Sequence, residues 1–123
     1  MNIVLPFCLN LEIKKIHGII KYSNNTLIID YVVKNIFNSS KNKKISINID
    51  NIHSIYLSQK WNKCYLVIQL NTLISIDNIF NSQGGKIKFE IEKNNIENAE
   101  LLAINIQNEI INNNFILEVD GKL

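Results

Sequence analysis

Arginine is missing from this 123-residue chain, whose 13 basic side chains are all lysine. Arginine grips phosphate and carboxylate groups through paired hydrogen bonds, so a site built on tight phosphate forks is not expected. The net charge of +2 falls short of the dense basic face that nucleic-acid backbones require, and no nucleic-acid partner is expected. Cysteine occurs twice, as Cys8 and Cys64, without metal-type spacing. Both read as reduced packing residues rather than a disulfide. No apolar run approaches the roughly 18 to 20 residues that span a bilayer. Met1 to Leu11 has no basic start and is interrupted by Pro6 and Asn10, so no secretion leader is expected and the chain reads as cytoplasmic.

Groups for catalysis and metal binding are also sparse. His17 and His53 are the only histidines, and neither has a Cys, Asp or Glu pattern around it that forms a recognised metal motif. Asp30, Asp50 and Asp77 stand singly among apolar or amide residues, not as a pair for acid/base work. No serine has a nucleophile-elbow context, and Gly84-Gly85 is neither a P-loop nor a dinucleotide fingerprint. The expectation is a non-enzyme without cofactor or metal.

What is present is enough apolar material for a core. Hydrophobic residues make up 46% of the chain and charged residues 20%, spread along its length, which fits one globular domain over residues 1–123. The bias toward Ile, Asn and Lys is typical of AT-rich coding, so single Asn and Lys residues carry little weight.

The dominant period is two, interrupted by turn residues at short intervals, as in antiparallel strands around one core. Ile45, Ile47 and Ile49 alternate with Ser46 and Asn48, and Ile87, Phe89 and Ile91 alternate with lysine and glutamate. Cys64, Leu66, Ile68 and Leu70 form a third inward row, and Leu27, Ile29, Tyr31 and Val33 a fourth. Ser23-Asn24-Asn25 reads as a turn that adopts positive φ at Asn, pairing the last row with a strand at about Lys14 to Tyr22. Asp50-Asn51 predicts a second tight hairpin, between the Ile45 strand and Ile52 to Ser58. Leu73 to Asp77 can be a short strand, followed by a loop that closes at Gly84-Gly85.

The period then changes. Ile96, Ala99, Ala103, Ile106 and Ile110 recur at three and four residues and lie on one face of a helix. Asn94 followed by Glu97 has capping-box spacing and predicts the helix start, and Asn112-Asn113-Asn114 its end. Phe115, Leu117 and Val119 alternate with Ile116, Glu118 and Asp120, so 115–123 is either one more strand, pairing within the chain or with another copy, or a frayed tail.

Seven strands and a closing helix resemble the bacterial pleckstrin-homology-like (PH-like) family, and particular residues strengthen the likeness. Ile45-Ser46-Ile47-Asn48-Ile49-Asp50-Asn51-Ile52-His53-Ser54-Ile55 resembles a spaced-isoleucine signature of that family. Trp61 in a turn, the strand Tyr65 to Gln69, the loop Asn81 to Ile87 and the helix segment Asn98 to Ala103 follow in the family's order. The resemblance covers roughly Leu5 to Ile110. It implies a mainly β barrel of about seven antiparallel strands in two near-orthogonal sheets, with one C-terminal α-helix plugging an end. It also implies a binding module for phosphoinositides, peptides or other proteins rather than an enzyme. The phosphoinositide-binding branch carries basic residues around its first hairpin loop, whereas here Ser23-Asn24-Asn25 has only Lys21 beside it.

Two lysine groups are candidate binding residues: Lys41, Lys43 and Lys44 before the Ile45 strand, and Lys60, Trp61 and Lys63 before the Cys64 strand. In an up-and-down order these connections share one end, which predicts a single basic patch tipped by an aromatic anchor. The alternative is lysines that serve solubility and a tryptophan that covers a barrel edge. The functional expectation is protein–protein interaction or self-association through a sheet edge, the Phe115, Leu117 and Val119 tail or a loop end. Peripheral binding of anionic lipid through the Lys/Trp patch is the alternative. A barrel holding a small apolar ligand is not expected, because the helix fills the open end.

Overall fold

The computed structural model describes residues 3–10, 14–35, 42–71 and 85–121, with 114–121 described by backbone alone. The protein is mainly β, with seven antiparallel strands and one long C-terminal helix among the described residues. The strands are β1 Val4–Asn10, β2 Lys14–Ser23, β3 Thr26–Asn35, β4 Lys43–Asn48, β5 Ile52–Lys60, β6 Lys63–Leu70 and β7 Lys86–Ile91, and the helix is α1 Ile96–Gly121.

Hydrogen bonding links the strands in the single order β4-β3-β2-β1-β7-β6-β5. The two halves meet between β1 and β7, where Cys8 opposite Glu90 is the one paired position. Phe7 and Phe89 pack edge to face across this seam, with ring centroids 4.7 Å apart, and hold by apolar contact what hydrogen bonds barely join.

The inward rows are where the alternation puts them. Leu27, Ile29, Tyr31 and Val33 are buried, as are Cys64, Leu66, Ile68 and Leu70 on β6 and Ile87, Phe89 and Ile91 on β7. Each fully buried Leu or Ile contributes about 1.5–3 kcal/mol relative to exposure. Among the described residues no polar or charged residue is buried. The β2–β3 hairpin turns at Asn24 and Asn25, with φ of 52° and 60°, the left-handed pair that Asn tolerates. Its register sets Gly18 opposite Tyr31 and Phe7. A Cβ at Gly18 would lie 2.0 Å from the Asp30 carbonyl oxygen, so this close approach requires glycine.

Several expectations need correction. β1 is a strand that the sequence pattern did not mark out, because Pro6 and Asn10 obscure the alternation of Leu5, Phe7 and Leu9. The expected strand at 73–77 lies outside the described residues. β4 and β5 form no hairpin, and instead occupy opposite edges of the order. The 3₁₀ turn Ile49–Asn51 between them is tied elsewhere. Asn48 Oδ1 accepts the Asp50 N–H at 2.9 Å, the Ile49 N–H donates to the Asn25 carbonyl, and Asn71 donates through its backbone to Asn51 O and through its amide to Asp50 O. These anchors carry the chain from the β2–β3 turn to the end of β6 rather than back along β4.

The helix also differs at both ends. Lys93–Asn95 is a 3₁₀ turn and α1 begins at Ile96, so Asn94 lies inside the turn rather than at the helix cap. Nor does α1 stop at Asn112-Asn113-Asn114: its backbone stays helical through 115–119, where a strand or tail was expected. Asn is only a modest helix former, at well under 1 kcal/mol per residue against alanine, and an established helix propagates through such positions until a stronger break.

Candidate binding surfaces

β5 and β4 close the sheet order, and their outer edges are treated differently. α1 packs along β5, burying Ala99, Leu102, Ala103, Ile106 and Ile110. From that face Gln107 Oε1 accepts the Ile55 N–H at 3.1 Å, so the helix supplies an acceptor where a further strand would stand. A register shift between Ile52 and Ser54 adds a bulge to the same strand. On β4 the inner edge pairs with β3 from Lys43 to Asn48. Among the described residues no strand or helix pairs with its outer edge. Lys43 and Lys44 begin this edge, and Ile45 to Asn48 continue it without charge.

The second surface is the β5–β6 hairpin. Its two-residue turn, Trp61-Asn62, has positive φ only at Trp61, at 60°. This is the position where type II′ turns favour glycine, and a bulky side chain there is strained by about 1–3 kcal/mol. The indole is fully exposed, at 101% of its reference area, and packs on nothing. Lys60 and Lys63 face each other across the turn, and Lys63 Nζ lies 3.4 Å from a Glu90 carboxylate oxygen.

Lys43 and Lys44 lie on one edge of the sheet order and Lys60, Trp61 and Lys63 on the other, each at the end of its strand away from the 49–51 connection. β4 and β5, which carry the two groups, do not pair with each other, so the sheet order leaves the groups as separate candidates. Lys41 lies outside the described residues. Lys44 stands opposite Asp30, whose carboxylate is 3.4 Å from Lys21 Nζ, so one acidic group is shared between two lysines. Phe115, Leu117 and Val119 lie in the described backbone only, within α1.

Burial raises the Tyr22 phenol and the Cys64 thiol above their ordinary ranges, with the Glu109 and Glu100 charges acting in the same sense. Neither is a poised nucleophile. Among the described residues no three His, Cys, Asp or Glu side chains gather as metal ligands, and no helix is long and apolar enough to cross a membrane.

Sequence reading missed the Gln107–Ile55 bond and a groove over the outer face of β1 and β2. The hairpin register implied by Asn24-Asn25 already placed Lys15 opposite Lys34 at that groove, a like-charge pairing that was open to detection. Comparison of the chain with protein-family models, curated proteins and solved structures finds no match.

Proposed function

We propose that the protein is a non-catalytic binding module of the PH-like kind, acting by association with a second copy of itself through the outer edge of β4. The carrying observation is the contrast between the two sheet edges: β5 is covered by α1 and capped by Gln107, while β4 has no such cover among the described residues. An open edge offers unpaired N–H and C=O groups to another strand, and a two-fold axis beside β4 would pair it antiparallel with its own copy. A strand meander followed by one helix supports the PH-like reading, as does the near-break of the order at Cys8 and Glu90, which leaves four strands on one side and three on the other. Mass in solution against concentration tests the proposal. A dimer that persists at high salt and is lost in a Ser46→Lys variant with an unchanged unfolding midpoint is expected. A monomer at every concentration sinks it.

Trp61 favours a second reading, the peripheral binding of anionic lipid. An exposed indole held out at a strained turn between Lys60 and Lys63 suits the interface of a negatively charged membrane. Salt separates the two readings, because lysine-driven vesicle binding falls as charges are screened and edge pairing does not. Failure to bind phosphatidylserine vesicles at low salt eliminates the lipid reading.

A further inference from the structure

α1 carries two apolar stripes. The inward one, Ala99, Leu102, Ala103, Ile106 and Ile110, packs on the sheet. At about 3.6 residues per turn the opposite side carries Leu101, Ile104, Asn108 and Ile111, spaced by three and four residues. Leu101, Ile104 and Ile111 are 42%, 56% and 54% exposed, and they are half of the large apolar side chains open to solvent among the described residues. The others, Val4, Tyr56 and Trp61, stand singly on β1, β5 and a turn. Single exposed apolar residues are ordinary, whereas three in line along one helix face form a contact surface.

The charges around this stripe have one sign. Glu97 stands at its N-terminal end, and Glu100 and Glu109 flank it on either side. None of the chain's 13 lysines lies within α1, although the whole chain carries +2. Among the described residues none of these three glutamates forms an ion pair. Beside the stripe on the Glu109 side runs a groove of about 280 Å³, lined by Tyr22, Asn105, Asn108, Glu109 and Asn112. Its amides and carboxylate suit a long basic side chain reaching in from above.

These features choose among occupants. A second copy of α1 would set glutamate against glutamate, which opposes association. Residues 72–84, outside the described structure, contain no lysine to answer those charges. An anionic membrane is repelled by them. A helix whose apolar stripe is bordered by lysine or arginine meets both requirements, because its ridges pack into the grooves of α1 while its cations face the glutamates. We infer that the outer face of α1 docks a basic amphipathic helix of another protein, with Leu101, Ile104 and Ile111 as the apolar contact and Glu97, Glu100 and Glu109 as counter-charges. The inference does not rest on the β4 edge, which lies at the other end of the sheet order from β5 and its helix.

The test uses the whole chain and a synthetic peptide of about three heptads with leucine at a and d and lysine at e and g, whose like charges keep it from pairing with itself. A second peptide has glutamate in place of every lysine. The lysine peptide should give saturable nuclear magnetic resonance shifts at the Leu101, Ile104, Asn108 and Ile111 amides, and the glutamate peptide should bind roughly tenfold more weakly or worse. Ile104→Asn/Ile111→Asn changes only exposed positions and should keep the unfolding midpoint while weakening the lysine peptide roughly tenfold or more. Glu100→Gln/Glu109→Gln should weaken it too and flatten its salt dependence. Ser46→Lys, aimed at the β4 edge, should bind the peptide as the wild type does, so the two readings fail independently. The inference is overturned by the absence of saturable binding, by equal affinity for the two peptides, by binding that survives Ile104→Asn/Ile111→Asn, or by self-association of the chain that this same variant abolishes.

Discussion

Gln107, midway along α1, accepts the backbone N–H of Ile55 at 3.1 Å, a contact between residues far apart in the chain. It lets a helix close the edge of a sheet, a task that apolar burial alone leaves unfinished because the edge retains its polar backbone groups. Replacing Gln107 by Leu keeps much of the side-chain volume but removes the acceptor. The Leu variant should lose about 1–3 kcal/mol in urea unfolding. Gln107→Glu, which keeps an acceptor oxygen, should lose less, and equal stability of the Leu and wild-type proteins would show that the bond contributes nothing.

Gly18 is fixed by space rather than by φ. A methyl group there meets the Asp30 carbonyl oxygen at 2.0 Å and the Tyr31 Cα at 2.8 Å, both backbone atoms in a paired strand. Gly18→Ala should therefore unfold the protein or destabilise it by about 3 kcal/mol, near the upper range for overpacking. Circular dichroism during thermal unfolding reads the effect, and a variant with the wild-type midpoint contradicts the close approach.

Trp61 should behave in the opposite way. Glycine is the favoured residue at its turn position, so Trp61→Gly removes backbone strain and no intramolecular packing. After allowing for the entropy that glycine adds to the unfolded chain, stability should rise by up to about 1 kcal/mol. If the indole serves a membrane surface, the same variant loses binding to anionic vesicles. A drop in the unfolding midpoint would show instead that the side chain stabilises the fold.

The Cys64 thiol is raised by burial first and by the Glu100 charge second, and the Tyr22 phenol by burial and then Glu109. A group whose folded pKa is raised contributes stability in full below its unfolded pKa and loses it as pH rises through the folded value. Stability should accordingly fall with rising pH in the alkaline range, through the thiol region and then the phenol region. Cys64→Val should flatten the first part of that decline and Tyr22→Phe the second. Alkylation followed by mass spectrometry at neutral pH should label Cys8, which is half-buried, well before Cys64. Equal labelling rates would contradict the burial of Cys64.

The period-two rows at Leu27, Ile47, Leu66 and Ile87 were legible because side-chain alternation is a local property of extended backbone. So was the helix face at Ala99, Ala103, Ile106 and Ile110, where spacing alone selects the buried stripe. The Asn24-Asn25 turn was legible for the same reason, since φ preference belongs to the residue. Leu102 was missed on that stripe, and β1 was missed because one proline obscured a sound alternation.

The candidate sites were less legible. Lys43 and Lys44 proved distant in the sheet order from Lys60, Trp61 and Lys63, because the connection at 49–51 is held by Asn25 and Asn71 instead of folding into a hairpin. Such anchors join residues that no sequence period relates.

By itself, the sequence determined which residues face inward, where the Asn24-Asn25 hairpin turns and that a long helix follows the strands. Each follows from local geometry, a period of two or 3.6 or a preference for positive φ. Tertiary structure alone decided that β4 and β5 become opposite edges, that α1 covers only one of them, and that Lys15, Lys34 and His17 share a groove with Glu92. Those outcomes depend on long-range hydrogen bonds and packing, whose partners are set only once the chain has closed on itself.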